Sequence, residues 1–254
     1  MEESHDYFEL LARLGMTKHM GSMEATRRLV ELCHLEPGQL VLEVGCGAGA
    51  TLVYLVRERG CRVVGTDLLQ SMIQQSRGRA ASRGIKDQID LAAADARALP
   101  FRSAVFDAVI MESLNVFFEE KLEAIQGYMR VTKPGGYVGL TEMTWLRPPT
   151  PERAAYYRQT VYADTLQAEG WIELLEEAGL RDVVGHAQAI DVREEARGRV
   201  QRYGCSGMVR VMVNAVLAFV GDRAAREFLT SVTRSVPRDV TEDVGYGVFV
   251  GRRP

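Results

Sequence analysis

Apolar and polar positions along the chain fall into two repeating patterns. Short apolar runs at 39–44, 61–66, 88–94, 106–111 and 136–142 have the length and composition of buried strands. Between them lie stretches with helical spacing. Ala25, Leu29, Leu32 and Cys33 recur at that spacing within 24–33, and Pro37-Gly38 breaks the pattern. Helices are expected over 50–59 and 69–83, with Gly60 and Gly84 where they should stop. Lys133-Pro134-Gly135-Gly136 reads as a turn into the fifth strand. Strands alternating with helices imply a mainly parallel sheet covered on both faces.

The pattern changes beyond Trp145. Arg147-Pro148-Pro149-Thr150-Pro151 is a stiff connector, helical runs fill 152–178, and 181–190 and 244–251 read as two further strands. The stretch 193–236 between these strands reads as helix. Three parts are therefore expected: an N-terminal helical cap over 1–36, an α/β domain formed by 37–192 with 237–254, and a helical insertion or lid over 193–236.

Composition adds limits. The chain has 254 residues, 46% hydrophobic and 26% charged, with a formal net charge of −3. These are ordinary values for a soluble globular protein. A nucleic-acid partner is not expected, because such proteins carry an excess of Lys and Arg. The four cysteines, Cys33, Cys46, Cys61 and Cys205, have no metal-site or redox-pair spacing, so no metal is expected. The acidic start Met1-Glu2-Glu3 does not resemble a targeting segment, and the apolar stretch 208–220 is too short to span a bilayer. A cytoplasmic location is the reading that follows.

The chemistry concentrates at strand ends. The run Val41-Leu42-Glu43-Val44-Gly45-Cys46-Gly47-Ala48-Gly49 places glycines at alternate positions after an apolar strand, where bare backbone can approach a ligand. Gly45, Gly47 and Ala50, with Asp67 some 20 residues on, also satisfy the dinucleotide fingerprint, so an NAD(P)-dependent oxidoreductase is an alternative. Glu43 helps to separate the two. A carboxylate just before the loop repels a pyrophosphate, whereas a ligand carrying an ammonium and a sulfonium centre tolerates it. Asp67 ends the second strand, placed either to accept from both ribose hydroxyls or to cap the following helix. Asp95, after the third strand, either caps a turn or accepts from an exocyclic amine, since a carboxylate only accepts.

With Arg130-Val131-Thr132-Lys133-Pro134-Gly135-Gly136 closing the series, residues 39–142 resemble class I S-adenosylmethionine-dependent methyltransferases, in the small-molecule group that contains the quinone-biosynthesis enzymes. Thr132 stands where that group usually has Leu. The resemblance implies a Rossmann-like seven-stranded sheet in the order 3-2-1-4-5-7-6, with the last strand antiparallel and helices on both faces. It implies S-adenosyl-L-methionine as cofactor, S-adenosyl-L-homocysteine as product and a small-molecule acceptor. The cofactor-binding residues it implies are Glu43, Gly45, Cys46, Gly47, Gly49, Asp67, Leu68, Met72, Asp95, Ala96 and Glu112.

The acceptor is less legible. Its pocket is expected from Tyr7, His19, Met20, Asn115, Phe117 and Trp145, with Glu112, Glu142 and His19 as candidate bases. The Asn-Pro-Pro-Tyr motif of macromolecule-modifying N-methyltransferases is absent after the fourth strand. In the insertion, Met208 to Phe219 is apolar nearly all round a helix, which reads as lid core, with a homodimer contact or a greasy substrate as the other readings. A protein that binds the cofactor without catalysis would keep the same motifs.

Overall fold

Strand β1 (Leu40–Val44) lies between β2 (Arg62–Asp67) and β4 (Phe106–Glu112), parallel to both. The computed structural model describes residues 9–10, 12–13, 20–160, 162–223, 225–226, 230 and 243–254. Strand β3 (Ile89–Ala93) extends the sheet beyond β2, and β5 (Thr132–Trp145) pairs in parallel with β4. A two-residue strand β6 (Leu166–Gln167) adds to the end of β5. Strand β8 (Val244–Arg252) inserts antiparallel between β5 and β7 (Arg181–Ala189). The order is β3-β2-β1-β4-β5-β8-β7 with β6 off that path. Without β6, this is the order expected from the sequence.

Parallel strands are buried on both faces, which explains their nearly continuous apolar runs. Leu42, Val44, Val109, Met111, Val138 and Leu140 face one cluster, filled from outside by helices α4 (Lys121–Val131) and α6 (Ala168–Glu177). Val41, Val63, Ala108, Ile110, Val248 and Val250 face the other, with helices α1 (Ser22–Leu32), α2 (Ala50–Arg59) and α3 (Gln70–Ser82). Tyr128 on α4 and Trp171 on α6 are fully buried. On the opposite face Leu29 of α1 and Cys33 just after it lie so close to Gly139 of β5 that a Cβ there would meet them at 2.7 Å.

Three local readings are corrected. The Lys133–Gly136 turn lies inside β5, as an irregularity: the β4–β5 register shifts between Phe106 and Ala108. A Cβ at Gly136 would sit 2.4 Å from the Asp107 carbonyl oxygen, so the backbones touch there. The helical runs over 152–178 are split into α5 (Pro151–Thr160) and α6, because residues 166–167 pair with Thr144 and Trp145. A two-residue strand leaves no periodic signature in a sequence.

The third correction concerns helix α7 (Val192–Gly221), between β7 and β8. Asp191 caps it, accepting from the backbone of Arg193 (2.8 Å) and Glu194 (3.2 Å). Gly204, at φ 69° and ψ 166°, breaks it into two helices. The first leans on α1, where Gly198 lies against Ser22. The second is not the packed lid interior expected from its composition. Val209, Met212, Val216, Leu217 and Val220 are 60–70% exposed. Helical patterning that is apolar on every side cannot say which side finds a neighbour; here Asn214 meets the Arg13 carbonyl at 3.2 Å while the far side stays open.

Candidate active site

The glycine loop leaves β1 and enters α2. Gly45, Gly47 and Gly49 have φ of 72°, 51° and 75°, left-handed values that favour glycine. Space is tight as well: a Cβ at Gly45 would lie 3.0 Å from Leu114, and one at Gly49 would lie 2.7 Å from Ser76 Oγ. The Ser76 hydroxyl donates to the Gly47 carbonyl at 2.7 Å and so fixes the loop from α3. Sequence reasoning missed Ser76; only its helical register relative to Met72 could have placed it near the loop.

Two carboxylates flank this loop. Glu43 is the last residue but one of β1 and is almost fully buried. Asp67 ends β2, accepting from Gly47 N–H at 2.9 Å on one oxygen and from Leu69 N–H at 2.9 Å on the other. It thus holds the loop and the start of α3 together. Burial pushes the Asp67 carboxyl up from its ordinary range, against the pull of those N–H donors. Cys46, between the two acids, has its thiol pushed well up, first by burial and then by the negative charge of Glu43 and Asp67. The loop therefore lies between two carboxyl groups.

Around the rim, Leu68 is 55% exposed, while Met72 is buried with Leu69 and Ala12, against Ala48. The N-terminal segment therefore reaches the glycine loop. Asp95 is gripped by Arg97: Nε donates to Oδ1 at 3.0 Å, Nη2 to Oδ2 at 2.7 Å, and the Arg97 backbone N–H to Oδ1 at 2.9 Å. These side-chain bonds hold the Asp95 carboxyl below its usual range. The Arg97 guanidinium in turn lies 5.9 Å from the Phe118 ring centre. Ala96 is buried beneath.

The exit of β4 forms the opposite wall. Glu112 accepts from two threonine hydroxyls at 2.7 Å each, Thr26 of α1 and Thr51 of α2. Both threonines are buried, and neither was singled out from the sequence. Ser113 follows at φ 57°; its N–H donates to the Thr141 carbonyl, and its hydroxyl accepts from Met20 N–H at 3.3 Å. Asn115 and Glu142 are both fully buried and bonded to each other. Burial pushes the Glu142 carboxyl up to about 7, although N–H donors from Asn115 and Leu114 oppose the shift. Phe117 is partly buried at the end of the exit turn.

Among the remaining acceptor-side expectations, Met20 lies against the β4 exit, through its N–H on Ser113 Oγ. Trp145 is buried, edge-on to Tyr157 at 5.0 Å between ring centres. Tyr7 and His19 lie outside the described residues. Asp107, at the other end of β4, has a structural role: it accepts from Leu40 N–H at 2.8 Å and pairs with Lys133 at 2.6 Å.

Residues 41–136 match the family model described as a methyltransferase domain. The chain is 26% identical to a phosphoethanolamine N-methyltransferase of Triticum aestivum over 92% of this chain and 45% of the wheat protein. It therefore spans less than half the length of that relative. Among solved structures, the [4+2]-cyclase SpnF superposes with a TM-score of 0.80 at 21% identity, over 98% of this chain and 94% of the other. A methyltransferase from Thiobacillus denitrificans in complex with S-adenosyl-L-homocysteine superposes with a TM-score of 0.68 at 23% identity, over 91% of each chain.

Proposed function

We propose that the chain is a class I S-adenosylmethionine-dependent methyltransferase, that it methylates a small molecule and that the acceptor atom is an amine nitrogen. The observation that supports the cofactor half of this reading is the glycine loop between two carboxylates. Its left-handed glycines and near-contacts at 2.7–3.0 Å leave a bare backbone cradle. The two carboxyls beside Cys46 suit a ligand bearing ammonium and sulfonium charges and disfavour a pyrophosphate. The acceptor half draws on the amine named in the wheat relative.

When bound, the cofactor supplies a methyl group already activated by its sulfonium. The chain then has to align, enclose and balance charge. Glu43 offers negative charge beside the loop. Asp67 retains acceptor capacity for ribose hydroxyls, since a carboxylate has about four lone-pair sites and two backbone N–H groups occupy only part of them. Asp95, fixed by Arg97, is the acceptor for an exocyclic amine. In this reading Gly45, Cys46, Gly47, Gly49, Leu68, Met72, Ala96 and Glu112 complete the cofactor pocket.

Neither described candidate base is placed to take a proton from an acceptor. Glu142 is sealed from solvent, and Glu112 is held between two hydroxyls. This favours catalysis by alignment, which can supply roughly 7–11 kcal/mol, over base assistance. The N-terminal segment and α7 would exclude water as a cover over the 37–192 and 237–254 domain.

Calorimetry with S-adenosylhomocysteine tests the cofactor, and absence of binding at millimolar concentration would sink the reading. Mass-spectrometric detection of methylated phosphoethanolamine, within a panel of small amines, phenols and thiols, tests the acceptor. Transfer only to an oxygen or sulfur acceptor would overturn the amine assignment. Tight cofactor binding without turnover on any of the panel would favour a non-catalytic binder, and quenching of NADH fluorescence would favour the dinucleotide alternative.

A further inference from the structure

Glu142 is the charged residue most deeply enclosed at the ligand edge of the sheet, with no exposed surface. Its Oε1 accepts from Asn115 N–H at 2.7 Å, Asn115 Nδ2–H at 2.9 Å and Leu114 N–H at 3.1 Å. Its Oε2 is buried without a hydrogen-bond partner among the described residues. The far side of Asn115 is held as well, because the Tyr128 hydroxyl donates to Asn115 Oδ1 at 3.3 Å. A single carboxyl oxygen therefore gathers the donors of two consecutive residues in the turn that leaves β4.

That turn is where the walls of the site meet. Leu114 lies against the glycine loop at Gly45. Ser113 Oγ receives Met20 of the N-terminal segment. The Val116 carbonyl accepts from Asp164 N–H at 2.7 Å, which brings in the segment after α5. Phe118 carries the Arg97 guanidinium. Moving the turn by an ångström would shift each of these contacts at once.

We propose that Glu142 is a positioning residue for methyl transfer: acting through Asn115, it fixes the turn from Ser113 to Phe118 and with it the acceptor side of the pocket. It does so without touching the acceptor. Its charge state should tune its grip. Burial opposes the ionised form while the N–H donors sustain it, so the group titrates near neutrality. Of the groups around it, Tyr128 on α4 is titratable and feels its charge. Glu112 of β4, paired in register with Thr141, has its oxygens on Thr26 and Thr51. Gly247, opposite on β8, carries no charge. If opening of the turn admits water to Glu142, the open form ionises more readily than the closed one. Rising pH then favours opening.

Amide hydrogen exchange on the full chain with S-adenosylhomocysteine, corrected for intrinsic rates, tests this without needing an acceptor. Protection of residues 113–118 should fall about tenfold or more between pH 5.5 and 8, while the β1 and β4 interiors change far less. Glu142→Gln, the uncharged isostere, should show no such slope. Asn115→Ala should lose protection in the same peptide at both pH values. Protection of 113–118 that ignores pH in the unaltered protein, or a slope that persists in Glu142→Gln, would overturn the proposal. A kinetic arm rests on the amine reading: with phosphoethanolamine, Asn115→Ala should raise the acceptor KM at least about fivefold more than it weakens S-adenosylhomocysteine. Equal effects on both would overturn the positioning role. Absence of turnover on any amine would count against the acceptor reading alone, because the exchange result stands independently of it.

Discussion

Arg97 closes on Asp95 in a bidentate pair, with Nε on Oδ1 at 3.0 Å and Nη2 on Oδ2 at 2.7 Å. The two side chains are 38% and 34% exposed, so the pair is worth less than a buried one; its use is orientation. A planar guanidinium fixes the plane of the carboxylate that it grips. Arg97→Ala should therefore weaken S-adenosylhomocysteine binding by about three- to tenfold while changing stability little. Arg97→Lys should recover only part of the loss, because an ammonium holds a carboxylate as a point charge. Calorimetry on the three proteins checks this. An unchanged affinity in Arg97→Ala would show that Asp95 does not face the cofactor.

Asp67 does two jobs, and they can be separated. Its oxygens satisfy the backbone N–H groups of Gly47 and Leu69, so Asp67→Ala strands two donors. Leaving them unsatisfied should cost on the order of 1–3 kcal/mol in stability, read as a drop in the denaturation midpoint. Asp67→Asn keeps acceptor oxygen on one side and should recover much of that stability. It should not recover ligand affinity, because an amide accepts from a ribose diol on one side only. Equal rescue of stability and binding would assign Asp67 to the loop alone.

Much of this was legible before the structure, for a physical reason. A parallel strand buried on both faces must be apolar along its length, so β1, β2 and β4 announce themselves, and acids directly after such runs stand out. The glycine run stood out equally, and Gly45 and Gly49 have left-handed φ and little room for a Cβ. What escaped were contacts between elements distant in sequence. Thr26 and Thr51 look like ordinary helix positions, yet they converge on Glu112 from 86 and 61 residues away. The exposed half of α7 escaped for the opposite reason: composition reports how apolar a helix is, not which neighbour its faces meet.

The Thr26–Glu112–Thr51 bridge predicts coupling between α1 and α2. Each hydroxyl bond joins a buried donor to a carboxylate, so Thr26→Val or Thr51→Val should each destabilise by about 1–3 kcal/mol. The two effects should not add, because both act on one carboxylate. A double-mutant cycle in urea should return a coupling of at least about 0.5 kcal/mol. Strict additivity would mean that the two helices are held independently.

Burial of carboxyls sets the pH dependence of stability. Glu142 moves from its ordinary 4.5 up to about 7, and Asp67 also moves up. For an acid raised in the folded state, the stabilising contribution is complete below the unfolded value. It is lost as pH rises through the folded value. The Glu142 contribution should thus decline between about pH 4.5 and about 7 and then level off, an effect on the order of 3 kcal/mol from the size of that shift. Asp95 and Asp107 are lowered and work in the other direction, so their contribution is lost only in strong acid. Thermal midpoints measured from pH 4 to 9 should fall across the Glu142 window in the unaltered protein. They should fall less steeply in Glu142→Gln; parallel curves would show that Glu142 ionises in the folded protein as it does in water.

The open side of α7 makes a final, sharp prediction. Val216 and Val220 are 62% and 70% exposed, and each would be expected to matter if the helix were lid core. Deleting buried methyl groups from a packed interior costs about 1 kcal/mol or more, whereas substitutions at exposed positions stay within about 0.5 kcal/mol. Val216→Ser and Val220→Ser should accordingly leave the urea midpoint almost unchanged. Tyr128→Leu, at a fully buried position on α4, should lower it clearly and supplies the positive control. A loss above about 1 kcal/mol from either valine substitution would mean that this face is covered in solution. Repeating the measurement over a hundredfold range of protein concentration would then show whether a second copy covers it, since a dimer's midpoint moves with concentration and a monomer's does not.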